Sequence, residues 1–362
     1  MVSHFYFPAV FLHTISTLKQ ATLPGKVEAR VHVQIESLTR KDARNGKPFW
    51  ELVAVDFETR FTLRAWSDEP AFAVCEGLRN GQFIEIAGEF SHSANFGLEA
   101  KNWTGRELTL EERAALLGGS PELRARQEAD FRDITALVQS LTDPRLKALG
   151  ELFLQEHGER LRRTAAARGN HHARRGGLVE HVAQMMRSAA AIAGVYPRLN
   201  RDLLLAGVLF HDCGKLWENA LPPDGFVMPF DERGEMLGHI TIGIELVNAL
   251  WRKLLATPAS KAWTGLLPAN EDVRLHLLHL VAAHHGELQF GSPVPPKTPE
   301  AWALHYVDNL DAKLEMMSMA YQGRPVAPRI FERSWPLPGN SVLPLPKYGE
   351  NAGPAPDPAT NA

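Results

Sequence analysis

Eight apolar or small residues, from Leu203 to Phe210, run without interruption into His211 and Asp212, and Lys215 follows one helical turn later. Such an apolar run is typical of a helix buried in a protein core. A histidine, a carboxylate and a lysine at the end of a buried helix cost free energy unless they are paired or bind a metal ion. The chain must therefore fold around a helical core that encloses a polar or metal-binding site.

Most of the 15 histidines lie between positions 157 and 305, in the same helical half of the chain. Imidazole and carboxylate groups on separate helices can bind a divalent metal ion from several sides. A magnesium site would be built from oxygen ligands, so this histidine-rich set favours Mn, Fe, Co, Ni or Zn. Because His211 and Asp212 are adjacent, the carboxylate can bridge two ions while each ion binds histidines on its own side.

The N-terminal part of the chain alternates between apolar and polar residues, as a half-buried strand does. In KVEARVHVQIESL, Val27, Val31 and Ile35 fall on one face, and Glu28 falls on the other. Four more strand-like segments follow before residue 105, with a short helical piece between the third and the fourth. This order predicts a five-stranded OB-fold barrel.

An OB-fold barrel binds single strands in a groove that combines stacking aromatic rings with basic groups. The alternative interpretation is that the aromatic side chains fill the barrel core, where large rings bury much apolar surface. The candidates are Phe49, Trp50, Phe61, Arg64, Trp66, Phe96, Lys101 and Trp103. Among them, Phe49, Arg64 and Trp66 are the predicted substrate contacts.

The predicted fold class is therefore multidomain α and β, with an OB-fold barrel followed by an all-α domain. Thr109 and Glu112 resemble a capping box at the start of the helical half. The expected divisions are an N-terminal segment at 1–25, the barrel at 26–105, a helical linker at 106–165, the all-α domain at 166–322 and a Pro-rich, partly disordered tail at 323–362.

Charge and cysteine content narrow the class of protein further. The formal net charge is -3, so a nucleic-acid site would have to be a local basic patch. Cys75 and Cys213 are the only cysteines, which excludes a disulfide framework and favours a cytoplasmic location. No apolar run is long enough to predict a transmembrane helix, so no membrane partner is expected.

The polar residues of the helical half form the pattern H…HD…H…H…D, which resembles the HD-domain metal-dependent phosphohydrolase superfamily over residues 166–322. The resemblance implies one metal ion bound by His181, His211, Asp212 and Asp308. It also implies a second ion bound by His239 and His284 and bridged by Asp212. His285 would be a further ligand or a contact to the substrate phosphate.

Longer segments are similar to the YhaM-type 3′→5′ exoribonucleases, which join an OB-fold to an HD domain. They are NHHARRGGLVEH, DLLLAGVLFHDCGK, HHGELQFGSPVPPKTPEAWALHYVDNLDAKL and GKPFWELVAVDFETRFTLRAW. The resemblance implies metal-dependent removal of nucleoside 5′-monophosphates from single-stranded RNA, with DNA as a further substrate. The expected cofactor is two divalent ions, with manganese preferred over Co, Fe, Ni or Zn. A homo-oligomer is neither predicted nor excluded.

Several further residues have a functional and a structural interpretation. Lys215 could neutralise charge on the attacked phosphate or offset a helix dipole. Asp311 shares a helix face with Asp308 and could orient a metal ligand or pair with a cation. His172, Arg174 and Arg175 are predicted phosphate and substrate contacts, for which a solvated basic loop is the alternative. Lys297, on a Pro-rich loop predicted to lie over the site, is a further predicted substrate contact.

Three other functions remain open on the sequence. HHGELQFGSP resembles the motif of HD-GYP cyclic-dinucleotide phosphodiesterases, but Gly177 stands where a third-metal carboxylate would be expected and GSP replaces GYP. A nucleotide phosphohydrolase would leave the barrel without a role. A nucleic-acid-binding protein with an inactive HD site, acting in plasmid replication or conjugation, would not need the complete set of ligands.

Overall fold

The computed structural model describes residues 11–93, 97–169, 171–321, 329–333 and 337–347. Its N-terminal part contains two short helices, α1 (Ile15–Ala21) and α2 (Pro70–Glu76), among six strands. The strands are β1 (Phe11–His13), β2 (Val27–Asp42), β3 (Pro48–Val55), β4 (Arg60–Trp66), β5 (Phe83–Ser93) and β6 (Gly97–Glu107).

The sheet has the order β4-β3-β2-β5-β6, and β1 pairs in parallel with β2. The other pairings are antiparallel, and α2 lies between β4 and β5 in the chain. This is the predicted OB-fold order, with β1 added. In the part of the chain that the structure describes, β4 and β6 are not hydrogen bonded, yet both line one groove, so the barrel is partly open.

The barrel core follows directly from the alternation of the sequence. On β2, Val31, Val33 and Ile35 point inward and are fully buried. Phe90 from β5 and Trp103 from β6 complete the same core. Because the apolar side chains of each strand face the core, the side chains between them face outward, on the side where the groove lies.

The remaining helices form a second unit with its own core. The predicted capping box of Thr109 and Glu112 is present at the start of α3. The helices are α3 (Leu110–Gly118), α4 (Pro121–Gln139), α5 (Pro144–Leu161), α6 (Gly177–Val195), α7 (Arg201–Phe210), α8 (Lys215–Glu218), α9 (Glu232–Leu255), α10 (Asn270–Ala283) and α11 (Pro299–Tyr321), with 3-10 turns at Pro258–Trp263 and Leu288–Phe290.

Helical periodicity in the sequence predicts helices over 122–165, 200–216 and 240–256, and the structure differs from all three. The continuous helix expected over 122–165 is interrupted at Asp143, whose carboxylate accepts hydrogen bonds from the first amides of α5. The helix expected over 200–216 ends at Phe210, and a separate turn begins at Lys215. The helix α9 starts earlier than expected and is kinked at Gly238, which has a φ of 69°.

A third, smaller core joins the barrel to the helical unit. Val55 and Phe83 of the barrel pack with Leu116 and Phe226 of the helical half. The side-chain oxygen of Gln34 accepts a hydrogen bond of 2.6 Å from the amide of Phe226. The two units are therefore held in a fixed relation by shared apolar contacts and direct hydrogen bonds.

The N-terminal segment and the tail are described in part. Residues 1–10 lie outside the described range, while β1 and α1 dock on the barrel. Of the tail, Ile330–Phe331 (β7) and Ser341–Val342 (β8) form a two-stranded pair, and the expected disorder concerns mostly residues outside the description. None of the described helices is both long and apolar enough to span a membrane.

Candidate metal centre

Six polar side chains from five segments of the helical unit converge on one buried point. His181 lies on α6, His211 and Asp212 follow α7, and His239 comes directly after the kink in α9. His284 follows α10, and Asp308 lies on α11. The structure thus brings together His181, His211, Asp212, His239, His284 and Asp308, the set that the HD resemblance implied.

The two oxygens of Asp212 face different histidines. Its Oδ2 atom lies 3.2 Å from Nε2 of His211 and 3.8 Å from Nε2 of His181. Its Oδ1 atom lies 3.5 Å from Nε2 of His239 and 3.6 Å from Nε2 of His284. The carboxylate therefore divides the histidines into two pairs, one for each oxygen.

Each of the four histidines is anchored through its other ring nitrogen. Nδ1 of His181 donates to Asp311, and Nδ1 of His239 lies 2.9 Å from Oε2 of Glu218. Nδ1 of His211 and Nδ1 of His284 donate to the carbonyl oxygens three residues earlier, each at 2.8 Å. With Nδ1 protonated, Nε2 carries the lone pair that a metal ion needs.

Unsatisfied polar atoms support metal binding by this set. The Nε2 atoms of His181, His211, His239 and His284 are buried and have no hydrogen-bond partner among the residues that the structure describes, and neither does Oδ1 of Asp212. Buried polar atoms are normally hydrogen bonded, so a group of unpaired acceptors around one carboxylate calls for a cation. Imidazole nitrogens and carboxylate oxygens fit a divalent transition metal.

The electrostatics of the centre also favour a cation. Burial alone would raise the pKa of Asp212, but the charges of Lys215 and His211 hold it well below its usual value. Burial opposes protonation of His181, yet its contacts with Asp308 and Asp311 raise its pKa to about 9. The negative potential that stabilises this extra proton is the same potential that would attract a metal ion.

Comparison with known proteins agrees with this geometry. Residues 178–313 match the HD domain family model. The chain is 32% identical over 296 residues to the 3′-5′ exoribonuclease YhaM of Bacillus subtilis, covering 80% of this chain and 87% of that protein. Proteins of the same name match similarly in a Geobacillus species (32% identical, 81% and 84% covered) and in Bacillus pumilus (30%, 81% and 87%). The chain belongs to the YhaM family of HD-domain proteins.

In this YhaM-family chain, Asp311 and Lys215 border the centre directly. Oδ2 of Asp311 lies 2.7 Å from Nδ1 of His181 and 3.0 Å from Nε2 of His172, so it orients a candidate ligand. The ammonium of Lys215 lies 2.7 Å from Oδ2 of Asp212. Lys215 lies in the one-turn helix α8, beyond the end of α7 at Phe210, and its role stays a prediction.

A cavity of about 280 Å3 opens onto the centre. Its walls include Lys215, His284, His285 and Asp308. His285 is also grouped with His239 and His284 closely enough to share an ion. Four other residues of this wall have no predicted role: His171 in the loop before α6, and His305, Asn309 and Lys313 on α11.

His171 and His172 occupy different environments. Burial, together with the charge of His181, lowers the pKa of His171 to about 3, so this ring is neutral beside the cavity. His172 is 1% exposed and bonded to Asp311. Gly177 explains the close approach of this loop to α6, because a Cβ there would lie 1.9 Å from the carbonyl oxygen of His172.

Two of the three predicted basic substrate contacts, both arginines, have other partners in the structure, and the lysine lies away from the cavity. Arg174 pairs with Glu180 and donates to Glu315 at 2.8 Å. Arg175 donates to three backbone carbonyls, among them that of Pro222 at 2.9 Å. Lys297 is exposed and does not line the 280 Å3 cavity. Their contact with substrate stays a prediction, and structural roles explain both arginines.

The barrel groove contains four of the eight predicted groove residues. Phe49, Arg64, Trp66 and Lys101 line one cavity of about 870 Å3 between β3, β4 and β6. The ring centroids of Phe49 and Trp66 lie 4.8 Å apart. Of the others, Phe61 and Trp103 belong to the core and Trp50 packs against it, while Phe96 lies outside the described residues.

Proposed function

We propose that this chain is a metal-dependent 3′→5′ exoribonuclease that releases nucleoside 5′-monophosphates from single-stranded RNA. The observation that carries the proposal is the division of four histidines between the two oxygens of Asp212. The names of the YhaM proteins of Bacillus and Geobacillus point to the same activity. RNA is favoured over DNA on that ground.

We propose two divalent ions, with manganese preferred. His181, His211, Asp212 and Asp308 would hold one ion, and His239 and His284 would hold the other, with Asp212 between them. His285 is available as a further ligand or phosphate contact. A metal ion bound here supplies Lewis-acid activation of water and of the phosphate.

The chain's own residues position the substrate around this centre. Lys215 carries a positive charge at the cavity wall, beside Asp212, where it can neutralise a phosphate oxygen. Asp311 and Glu218 fix the rings of His181 and His239 through their Nδ1 atoms. The carboxylates of Asp311 and Glu218 thereby preorganise the candidate ligands without contacting the phosphate.

In this proposal the barrel at 26–105 binds the upstream strand and the helical unit at 166–322 hydrolyses its 3′ end, with 106–165 as the linker between them. The groove of Phe49, Arg64, Trp66 and Lys101 offers stacking rings next to basic groups. Both cysteines are free thiols, which supports a cytoplasmic location.

The test is incubation of the purified protein and Mn²⁺ with single-stranded RNA and DNA, labelled at the 5′ end or the 3′ end. Wild-type protein should convert 5′-labelled RNA to a ladder and release the 3′ label as a mononucleotide. An Asp212→Asn variant should do neither, while an Asp272→Asn control, changed on the exposed face of α10, should match wild type. Cleavage of cyclic di-GMP with intact RNA would instead support an HD-GYP-like phosphodiesterase.

A further inference from the structure

Two exposed aromatic rings on α11 form a flat surface beside the candidate metal centre. Trp302 and Tyr306 are one helical turn apart and are 45% and 62% exposed. Their ring centroids lie 5.8 Å apart with an interplanar angle of 25°, so the rings are stacked. We call this pair the α11 platform. Large aromatic groups left in solvent next to a cavity mark a binding surface.

The α11 platform is separated from the centre by one side chain. The ring of His305 lies 6.2 Å from that of Trp302 and 5.3 Å from that of Tyr306. Nδ1 of His305 donates to the backbone oxygen of His284 at 2.9 Å. Gly286 packs against the same ring, since a Cβ there would lie 2.3 Å from Cε1 of His305. The platform is thus rigidly connected to a candidate metal ligand.

Polar residues continue the platform into the cavity. Asn309 and Lys313 lie about one and two turns after Tyr306 and line the 280 Å3 cavity together with Asp308. Lys313 is exposed and forms no ion pair with any residue that the structure describes. Phe290, 58% exposed, lines the same cavity. Aromatic rings and a cation therefore meet at one cavity mouth.

This combination matches the two chemical parts of a nucleotide. Bases stack on aromatic rings whatever their sequence, and a lysine attracts the phosphate between them. The cavity is at the small end of ligand pockets, so it suits a terminal nucleotide, and the preceding bases would remain at its mouth. Leu310 and Leu314, 53% and 62% exposed, continue the apolar surface along α11, so a second copy of this chain is the competing occupant. The exposed ammonium of Lys313 at the cavity wall favours a polyanionic strand.

We propose that Trp302 and Tyr306, together with Lys313, form a subsite for the nucleotides on the 5′ side of the scissile phosphodiester of single-stranded RNA. The inference rests on the proposed exoribonuclease function. It adds a second aromatic binding surface to the barrel groove, located next to the reacting phosphate. Stacking there would hold the strand while the terminal nucleotide occupies the cavity.

The test compares a Trp302→Ala/Tyr306→Ala variant with its conservative counterpart, Trp302→Phe/Tyr306→Phe. Tyr196→Ala is the matched control, because Tyr196 is also 62% exposed but follows α6. Each protein is assayed on a short single-stranded RNA and on the same RNA with an abasic residue next to the terminal nucleotide. A p-nitrophenyl ester of a nucleoside 5′-monophosphate serves as a substrate without an upstream base.

The alanine variant should raise KM for RNA by roughly fivefold or more, the effect expected for one lost stacking contact. Its kcat on RNA and its hydrolysis of the ester should stay at wild-type values, and the phenylalanine and Tyr196→Ala proteins should resemble wild type. The abasic residue should weaken binding to wild-type protein but add no loss in the alanine variant.

Three results would overturn the subsite: an unchanged KM for RNA, an equal loss on the ester, or conversion of a wild-type oligomer to monomer with unchanged KM in light-scattering chromatography. The last result would assign the platform to a contact between copies of this chain. If wild-type protein shortens no RNA at all, the proposed function fails first. If wild type is active and the alanine variant equals it, only the subsite fails.

Discussion

Oδ2 of Asp311 lies 2.7 Å from Nδ1 of His181, one helical turn along α11 from Asp308. The same oxygen lies 3.0 Å from Nε2 of His172. Burial would raise the pKa of Asp311, but these two histidines lower it to about 2. A permanently charged carboxylate therefore holds the ring of His181 with Nε2 directed at Asp212 and Asp308.

An Asp311→Asn variant should bind Mn²⁺ about 10- to 100-fold more weakly than wild type, because the amide cannot supply the charge that orients and polarises His181. Isothermal titration with Mn²⁺ measures the affinity, and the unfolding midpoint checks that the fold survives. Asp272→Asn is the control. Unchanged Mn²⁺ affinity would mean that Asp311 serves only the packing of the His172 loop.

An Asp212→Asn variant should lose most of its bound metal and its nuclease activity, since one neutral amide oxygen cannot serve both histidine pairs. The metal content after gel filtration, measured by mass spectrometry, gives the number of ions for each chain. Wild-type protein should contain two ions and the variant one or none. Equal metal content in both proteins would contradict a bridging role for this carboxylate.

Two tryptophans of the barrel, Trp66 and Trp103, should respond differently to truncation. Trp66→Ala removes a groove ring and should weaken RNA binding by about 1–3 kcal/mol, with a smaller effect on stability. Trp103 is 1% exposed, so Trp103→Ala should reduce the free energy of unfolding by about 3–5 kcal/mol. Fluorescence anisotropy with labelled RNA and urea denaturation separate the two effects. Equal loss of stability in both variants would place Trp66 in the core.

Arg174 should stabilise the fold and should not bind substrate. Its guanidinium pairs with Glu180, which is 2% exposed, and donates to Glu315. Arg174→Ala leaves a buried carboxylate short of a partner and should destabilise the protein by about 3 kcal/mol. Urea denaturation measures this loss, with Arg175→Ala as the comparison because Arg175 bonds only to carbonyls in the described structure. A raised KM for RNA without lost stability would restore the substrate-binding prediction.

Acid should weaken one buried ion pair far from the metal centre. Arg145 is 1% exposed and donates to Asp143, Asn270 and the carbonyl of Pro268. Burial would raise the pKa of Asp143, but the hydrogen bonds from Arg145 lower it below 3.8. The stability from this pair is therefore complete above pH 3.8 and disappears as the pH falls through the lowered value.

Arg145→Ala should remove that acid-sensitive contribution and cost about 3–5 kcal/mol at neutral pH. Urea denaturation at a series of pH values tests both effects. The variant should lose less stability than wild type between pH 4 and the acid limit. Parallel pH curves for the two proteins would show that Asp143 titrates independently of Arg145.

Much of the fold could be predicted from local patterns. Two-residue alternation identified the barrel strands, and the apolar run before His211 identified the central helix. Both patterns agree with the folded structure, because the inward face of a strand or helix must be apolar at a fixed period. The end of α7 at Phe210 was missed, since the turn between His211 and Lys215 has no distinct composition.

The order of elements and the chemical types of the candidate ligands follow from the sequence, because burial of a histidine or carboxylate is costly enough to mark its position in an apolar segment. The division of those side chains around Asp212, and the partners of Arg174 on α6 and α11, follow from the folded arrangement alone. The same arrangement also placed Trp66 in the groove and Trp103 in the core. These outcomes depend on contacts between distant segments, which local periodicity does not specify.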